Sequence, residues 1–240
     1  MVIEKLHEAA EDAAQAIFNR QLATYRKVTR ENLMYHREVY GILREMLIAE
    51  APTPFRFLDV ACGDAGASAA MLQGTAIEHY HGIDLSARSL EVARETLRSL
   101  PCRVDLHCRD FAEALGNWAA PVDIVWIGMS LHHLQSAGKQ RLMVDARSAL
   151  RSSGVFLIWE PTYLEGKDRA AWRDRVSTLR PQGAALSDDE FAEMEDHMLA
   201  ADFPETAEGW KTMGLQAGFG HAAEVFTMPN RMGRVFKFWH

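Results

Sequence analysis

The chain has 240 residues, 48% of them hydrophobic and 25% charged, which is enough to bury a sizeable core and is ordinary for a globular protein. A formal net charge of −7 argues against a nonspecific phosphate-binding surface, so no nucleic acid partner is expected. No apolar run reaches the length of a membrane span, and the start Met1-Val2-Ile3-Glu4-Lys5 lacks a signal-peptide pattern, so no membrane partner and a cytoplasmic location are expected. Cys62, Cys102 and Cys108 are odd in number and contain no Cys-x-x-Cys pair, which suggests neither a disulfide framework nor a zinc site. They read as small hydrophobes, with oxidation as the alternative for Cys62, and no metal is expected.

Residues 1–50 read as a helical extension. Leu6, Ala9, Ala13 and Ile17, then Leu33, Tyr40, Leu43 and Leu47, keep near-helical spacing, and no proline intervenes before Pro52. This is more helix than one sheet-covering element needs, which predicts an amino-terminal lid or a homodimer contact.

Next comes Phe57-Leu58-Asp59-Val60-Ala61-Cys62-Gly63-Asp64-Ala65-Gly66, an apolar strand that ends in a carboxylate and runs into a small-residue turn opening a helix. Small residues there let a ligand approach the backbone, and the helix amides beyond face it. A second apolar run ends in Tyr80-His81-Gly82-Ile83-Asp84, and Asp84 follows Gly63 by 21 positions, close to the interval of a ribose-binding acid. A carboxylate can accept from two vicinal hydroxyls at once. The alternative is an Asp capping the helix near Ser86, although Ser86 is itself a good cap.

Ser86 to Leu100 is amphipathic through Leu90, Val92, Ala93 and Leu97, and Pro101 ends it. Strands then follow at Val104 to Cys108, Asp123 to Ile127 and Gly154 to Trp159, the last continuous in apolar residues as a strand buried on both faces should be. Alternation of strand and helix from Phe55 to Ile158 predicts a parallel sheet covered on both faces, with Gly63, Asp84, Asp110, Ser130 and Glu160 converging at the strand carboxyl ends. Residues 162–201 are charged and helical, and Ser187-Asp188-Asp189-Glu190 is a capping-box start. The acids and His197 there read as a solvated helix face rather than metal ligands. A helix from Trp210 to Ala217 and strands at His221 to Phe226 and Val235 to Trp239 close the chain.

These motifs, in this order, resemble the class I S-adenosylmethionine-dependent methyltransferases of small-molecule type, over about residues 55–160 and on to the carboxyl terminus. The resemblance implies an α/β fold with a doubly wound, mostly parallel, seven-stranded Rossmann-like sheet. It also implies a methyltransferase domain at 51–240 and a helical cap insertion at about 162–205. Asp59 and the turn Ala61 to Gly66 match the part that holds the methionine moiety. Asp84, with Leu85 beside it, matches the ribose acid, and Asp110-Phe111 the adenine contacts. Ser130-Leu131-His132-His133-Leu134 is a sequence common among small-molecule members. The family usually carries glycine where this chain has Ala61 and Ala65, which suggests a loop shifted toward Gly66. Tyr35 is a cofactor candidate through a cation–π contact with the sulfonium. Met194, Met198, Trp172 and Phe203 are acceptor-pocket candidates, or core.

The implied reaction is methyl transfer from S-adenosylmethionine to a small-molecule acceptor, at oxygen, nitrogen or carbon, with S-adenosylhomocysteine as product. His132 or His133 takes a proton from the acceptor or shapes the loop, and Glu160 orients the acceptor or holds the loop. An Asn-Pro-Pro-Tyr type of sequence after the fourth strand is absent, which points away from base and amide acceptors. Two alternatives stay open, an NAD-dependent oxidoreductase using the same turn and Asp84, and a non-catalytic S-adenosylmethionine-binding protein.

Overall fold

The computed structural model describes residues 23–180 and 185–240. The part of the expected lid before residue 23 lies outside the described residues. The described residues divide into two compact units, one of residues 37–169 and 201–240, the other of residues 23–36, 170–180 and 185–200.

The larger unit is built on a sheet of seven strands: β1 Phe55–Val60, β2 Ile77–Asp84, β3 Arg103–Cys108, β4 Val122–Gly128, β5 Leu150–Tyr163, β6 His221–Thr227 and β7 Gly233–Trp239. Their hydrogen-bonded order is β3-β2-β1-β4-β5-β7-β6, and Glu205–Thr206 adds a two-residue pairing to β5. β1 to β5 run parallel, while β7 is antiparallel to β5 and β6 is antiparallel to β7. The chain order reverses between β1 and β4, and the crevice beyond their carboxyl ends is where ligands of such sheets bind.

β1 and β4 are buried along nearly their whole length, which explains why they read as mostly apolar, interrupted only by Arg56 and Asp59 in β1 and Asp123 in β4. Leu58, Val60, Val125, Ile127, Phe156 and Ile158 fill one core with Leu142 and Met143 of helix α5, Ser136–Ala149. Helices α1 His36–Glu50, α2 Gly66–Leu72, α3 Ala87–Thr96, α4 Phe111–Gly116 and α8 Ala207–Gln216 complete the unit.

Three differences from the sequence expectation have local causes. The helical stretch before the sheet is broken, because a helix through residues 23–30 ends in a turn and Asn32 and Tyr35 take φ of 57° and 62° before α1 starts. The helix after Ser86 ends at Thr96 and tightens into a 3₁₀ turn over Leu97–Ser99. β5 is longer than its apolar run: Glu160 and Pro161 stay in the strand because β7 pairs with them through Arg234 and Gly233.

In the smaller unit, helix α7 Asp188–Ala201 begins with the expected reciprocal cap: Ser187 Oγ accepts from the Glu190 amide at 3.2 Å, and Glu190 accepts from the Ser187 amide at 2.7 Å. Val28, Leu186 and Phe191 form this unit's own apolar cluster, with Leu33, Met34 and Met194 against it. Helix α6, Arg169–Ser177, buries Trp172 and Val176. Among the described residues, no helix is long and apolar enough to cross a membrane.

Candidate active site at the carboxyl ends of the strands

The turn after β1 stores backbone strain. Ala61, Gly63 and Ala65 have φ of 57°, 55° and 55°, so the two alanines take the left-handed conformation themselves. That conformation costs about 1–2 kcal/mol for a residue with a Cβ. Three hydrogen bonds hold it: Cys62 N–H to Ile83 O at 3.0 Å, Ala65 N–H to Cys62 O at 2.9 Å, and Gly63 N–H to Asp84 Oδ2 at 2.9 Å. A Cβ on Gly63 would meet no atom within 4 Å, so the turn presents bare backbone to the crevice. Cys62 is only part-buried by exposed area, yet burial and the nearby acids Asp59 and Asp84 push its thiol strongly upward, which suits an inert thiol.

Asp59, at the end of β1, is bonded to Ser68 of the helix that the turn opens and to Tyr80. It is buried, accepts from the Tyr80 hydroxyl at 2.7 Å, and has its carboxyl pushed up to about 6 by burial, against the hydrogen bonds from Ser68 and Tyr80. Asp84 lies at the end of β2 and is only part-buried. Its Oδ1 accepts from Ser86 N–H at 2.8 Å and its Oδ2 from Gly63 N–H. Ser86, not Asp84, caps α3, since its Oγ accepts from Ser89 N–H at 3.1 Å. Each Asp84 oxygen keeps a second lone pair for a hydroxyl. Leu85 beside it is 64% exposed.

Asp110 caps α4, its Oδ1 accepting from Ala112 N–H at 2.9 Å and Glu113 N–H at 3.2 Å, and it is exposed at the end of β3. Phe111 begins that helix. The ends of β1, β2 and β3 therefore offer two acids, an exposed leucine, a phenylalanine and a bare backbone turn. This set fits a nucleoside with a vicinal diol.

The other half of the crevice, after β4 and β5, is built from buried charge. Glu160 is fully buried and accepts from three consecutive amides, Ser130 at 3.3 Å, Leu131 at 3.0 Å and His132 at 3.1 Å, and from His132 Nδ1 at 2.6 Å. The second imidazole nitrogen, Nε2, lies 3.4 Å from Asp202 Oδ1. Burial alone would lower the His132 pKa; the Glu160 and Asp202 carboxylates outweigh it and raise the pKa to about 9. His132 is thus an imidazolium at neutral pH, already protonated on both nitrogens. His133 is exposed, with Nδ1 at 3.4 Å from Ala201 O and 3.6 Å from Asp202 Oδ1. The backbone joins the two segments as well, through Phe203 N–H to His132 O at 2.9 Å, and Arg169 stacks on the Phe203 ring at 5.2 Å.

The strand ends thus bring together Ala61, Gly63, Asp84 and Leu85, and bring His132, His133 and Glu160 to one loop with Ser130 at its start. Asp59 is buried beside them, bonded to Tyr80 and Ser68. Tyr35 belongs to the smaller unit, as do Met194 and the buried Trp172. Two participants were not singled out as site residues from sequence. Tyr80, partner of Asp59, sat inside an apolar run as a strand residue. Asp202 lies 42 positions after Glu160 in a segment rich in acids, and nothing in the sequence distinguished it from its neighbours.

Sheet order, switch-point crevice and acid placement define the class I methyltransferase fold. Residues 57–154 match the family model of a methyltransferase domain. No curated protein matches the chain. Among solved structures, a putative O-methyltransferase from Nostoc punctiforme aligns with a TM-score of 0.59 at 18% identity, over 89% of this chain and 58% of that one. The S-adenosylmethionine-dependent methyltransferase SibL aligns at 0.59 and 16%, over 86% and 55%. The plantazolicin methyltransferase BpumL, solved with SAH, aligns at 0.65 and 12%, over 92% and 90%. At these identities the likeness is one of fold, and the chain spans little more than half the length of the first and second of these proteins.

Proposed function

We propose that the chain transfers the methyl group of S-adenosylmethionine to a small-molecule acceptor and releases S-adenosylhomocysteine. The observation that carries this reading is the Asp84 carboxylate, fixed at the end of β2 by the Gly63 and Ser86 amides with one lone pair per oxygen left for a ribose diol. The proposed roles follow the crevice. Asp84 takes the ribose hydroxyls, Leu85 and Phe111 flank the adenine, Asp110 accepts from its amino group through Oδ2, and the backbone of Ala61 and Gly63 with Ser130 receives the methionine end. Asp59 acts through the turn, by holding Tyr80 beneath it. Tyr35 remains a candidate from the smaller unit for the face of the sulfonium.

The donor supplies an electrophilic methyl on a sulfonium, so the protein's work is to align an acceptor in line with it. Glu160 and His132 position the loop after β4, because their hydrogen-bonding capacity is spent on each other and on the loop amides. His133 is the proposed proton acceptor for a hydroxyl or phenol, being exposed on the same loop. The net charge of −7 favours a small molecule over nucleic acid, and the proposed setting is the cytoplasm, with residues 1–50 as a lid or homodimer contact over a domain of residues 51–240 whose cap is the insertion at about 162–205.

Calorimetric titration with S-adenosylmethionine, S-adenosylhomocysteine and NAD tests the reading, with Asp84→Ala as control. Binding of the first two, lost in the variant, is the expected result; binding of NAD alone would return the oxidoreductase to first place. Release of S-adenosylhomocysteine with an acceptor panel separates an enzyme from a non-catalytic binder.

A further inference from the structure

Away from the crevice, the middle of β2 and the edge strand β3 carry a cluster of imidazoles that methyl transfer does not use. His79 and His81 are two apart on β2 and so share a face of the sheet, and the register pairs His81 with Asp105 of β3. His79 Nε2 lies 2.8 Å from Asp105 Oδ2, and the His79 and His81 rings are 3.8 Å apart between centroids. One ligand atom from each of His79, His81 and Asp105 falls within 4.8 Å of the others. Trp118 covers the cluster, edge-on to His81 at 5.1 Å and to His107 at 5.4 Å.

Packing alone does not account for this arrangement. His81 is 5% exposed and its Nδ1 has no hydrogen-bond partner, and the buried Nε2 of His107 has none either. An unsatisfied buried polar atom costs about 1–3 kcal/mol, and a valine or isoleucine on this strand face would avoid that cost. A metal ion on His81 Nδ1 removes the cost there, because it takes the lone pair of the imidazole.

We propose that His79, His81 and Asp105 bind a divalent transition-metal ion of the zinc class, with water as the fourth ligand. Two imidazoles and one carboxylate are a donor set zinc accepts, at about 2.0–2.2 Å from each ligand atom. Binding replaces the His79–Asp105 hydrogen bond and displaces the guanidinium of Arg103, which reaches Asp105 Oδ2 at 2.9 Å from a side chain 71% exposed. The ion clips edge strand β3 to β2, the two strands whose ends carry Asp84 and Asp110.

The test uses tag-free full-length protein stripped with chelator, titrated with zinc chloride by calorimetry and with cobalt(II) by visible absorption. One equivalent is expected to bind, with the intense visible bands of a tetrahedral cobalt site and a higher thermal midpoint. Asp105→Asn and His79→Gln, at partly exposed positions, are expected to weaken binding by more than about 100-fold, beyond what loss of an outer-shell partner does. Their metal-free thermal midpoints report folding. His133→Ala, in the separate group of His132, His133 and Asp202, leaves the isotherm unchanged. Absence of zinc binding by the wild-type protein overturns the proposal, as does an unchanged isotherm in folded Asp105→Asn.

Discussion

The two halves of the crevice solve opposite problems. At the ends of β1 to β3 the polar groups keep hydrogen-bonding capacity in reserve, and the cost sits in the backbone, where Ala61 and Ala65 hold left-handed φ. At the ends of β4 and β5 the buried pair Glu160 and His132 is saturated. Glu160 takes four donors, and the cost is the burial of charge. A ligand can be recognised only by groups that still have a lone pair or a proton to offer, so the first half is suited to binding, while in the second Glu160 and His132 hold the loop and leave ligand contact to Ser130 and His133.

The contrast is broken most severely at Glu160. Glu160→Gln keeps an acceptor for the loop amides but leaves the His132 charge without its main partner, and removing one member of a buried pair costs about 3–5 kcal/mol. Urea denaturation is expected to show that loss; a change under about 1 kcal/mol would mean the network is worth no more than an exposed ion pair. In the other half, Asp84→Ala is expected to leave the fold intact while weakening donor binding by about 1.5–3 kcal/mol, the worth of hydrogen bonds to a charged group, read by calorimetry.

Acid and base titrations sharpen the comparison through one group in each half, His132 and Asp59. The folded pKa of His132, about 9, lies above its ordinary 6.5, so the stability it contributes is complete below 6.5 and is lost as pH rises through 9. Asp59, raised from 3.8 to about 6, likewise contributes below 3.8, and that contribution is lost as pH rises through 6. Two separate declines in urea stability are expected, the lower one absent in Asp59→Asn. The smallest effect is in the strained turn. Ala65→Gly removes a left-handed Cβ and is expected to gain at most about 1 kcal/mol after the added entropy of the unfolded glycine, and Gly63→Ala to lose about as much, both read from thermal midpoints.

The sequence by itself determined the elements and the half of the site that is local in the chain. Strands buried on both faces read as apolar runs, Ser86 and Ser187 announced their helices as caps, and the Gly63 to Asp84 interval carried the acid to the next strand end. Each of these depends on residues near in sequence or on a fixed connection length. The left-handed alanines were not legible, because an alanine's composition signal says nothing of φ when tertiary hydrogen bonds such as Gly63 to Asp84 dictate it. Only the tertiary structure decided that His132 holds its proton, since that depends on Glu160 and Asp202, 28 and 70 positions away. It alone also set His81 opposite Asp105, a matter of β2–β3 register, because a charge's environment is set by whichever groups the fold brings within a few ångströms.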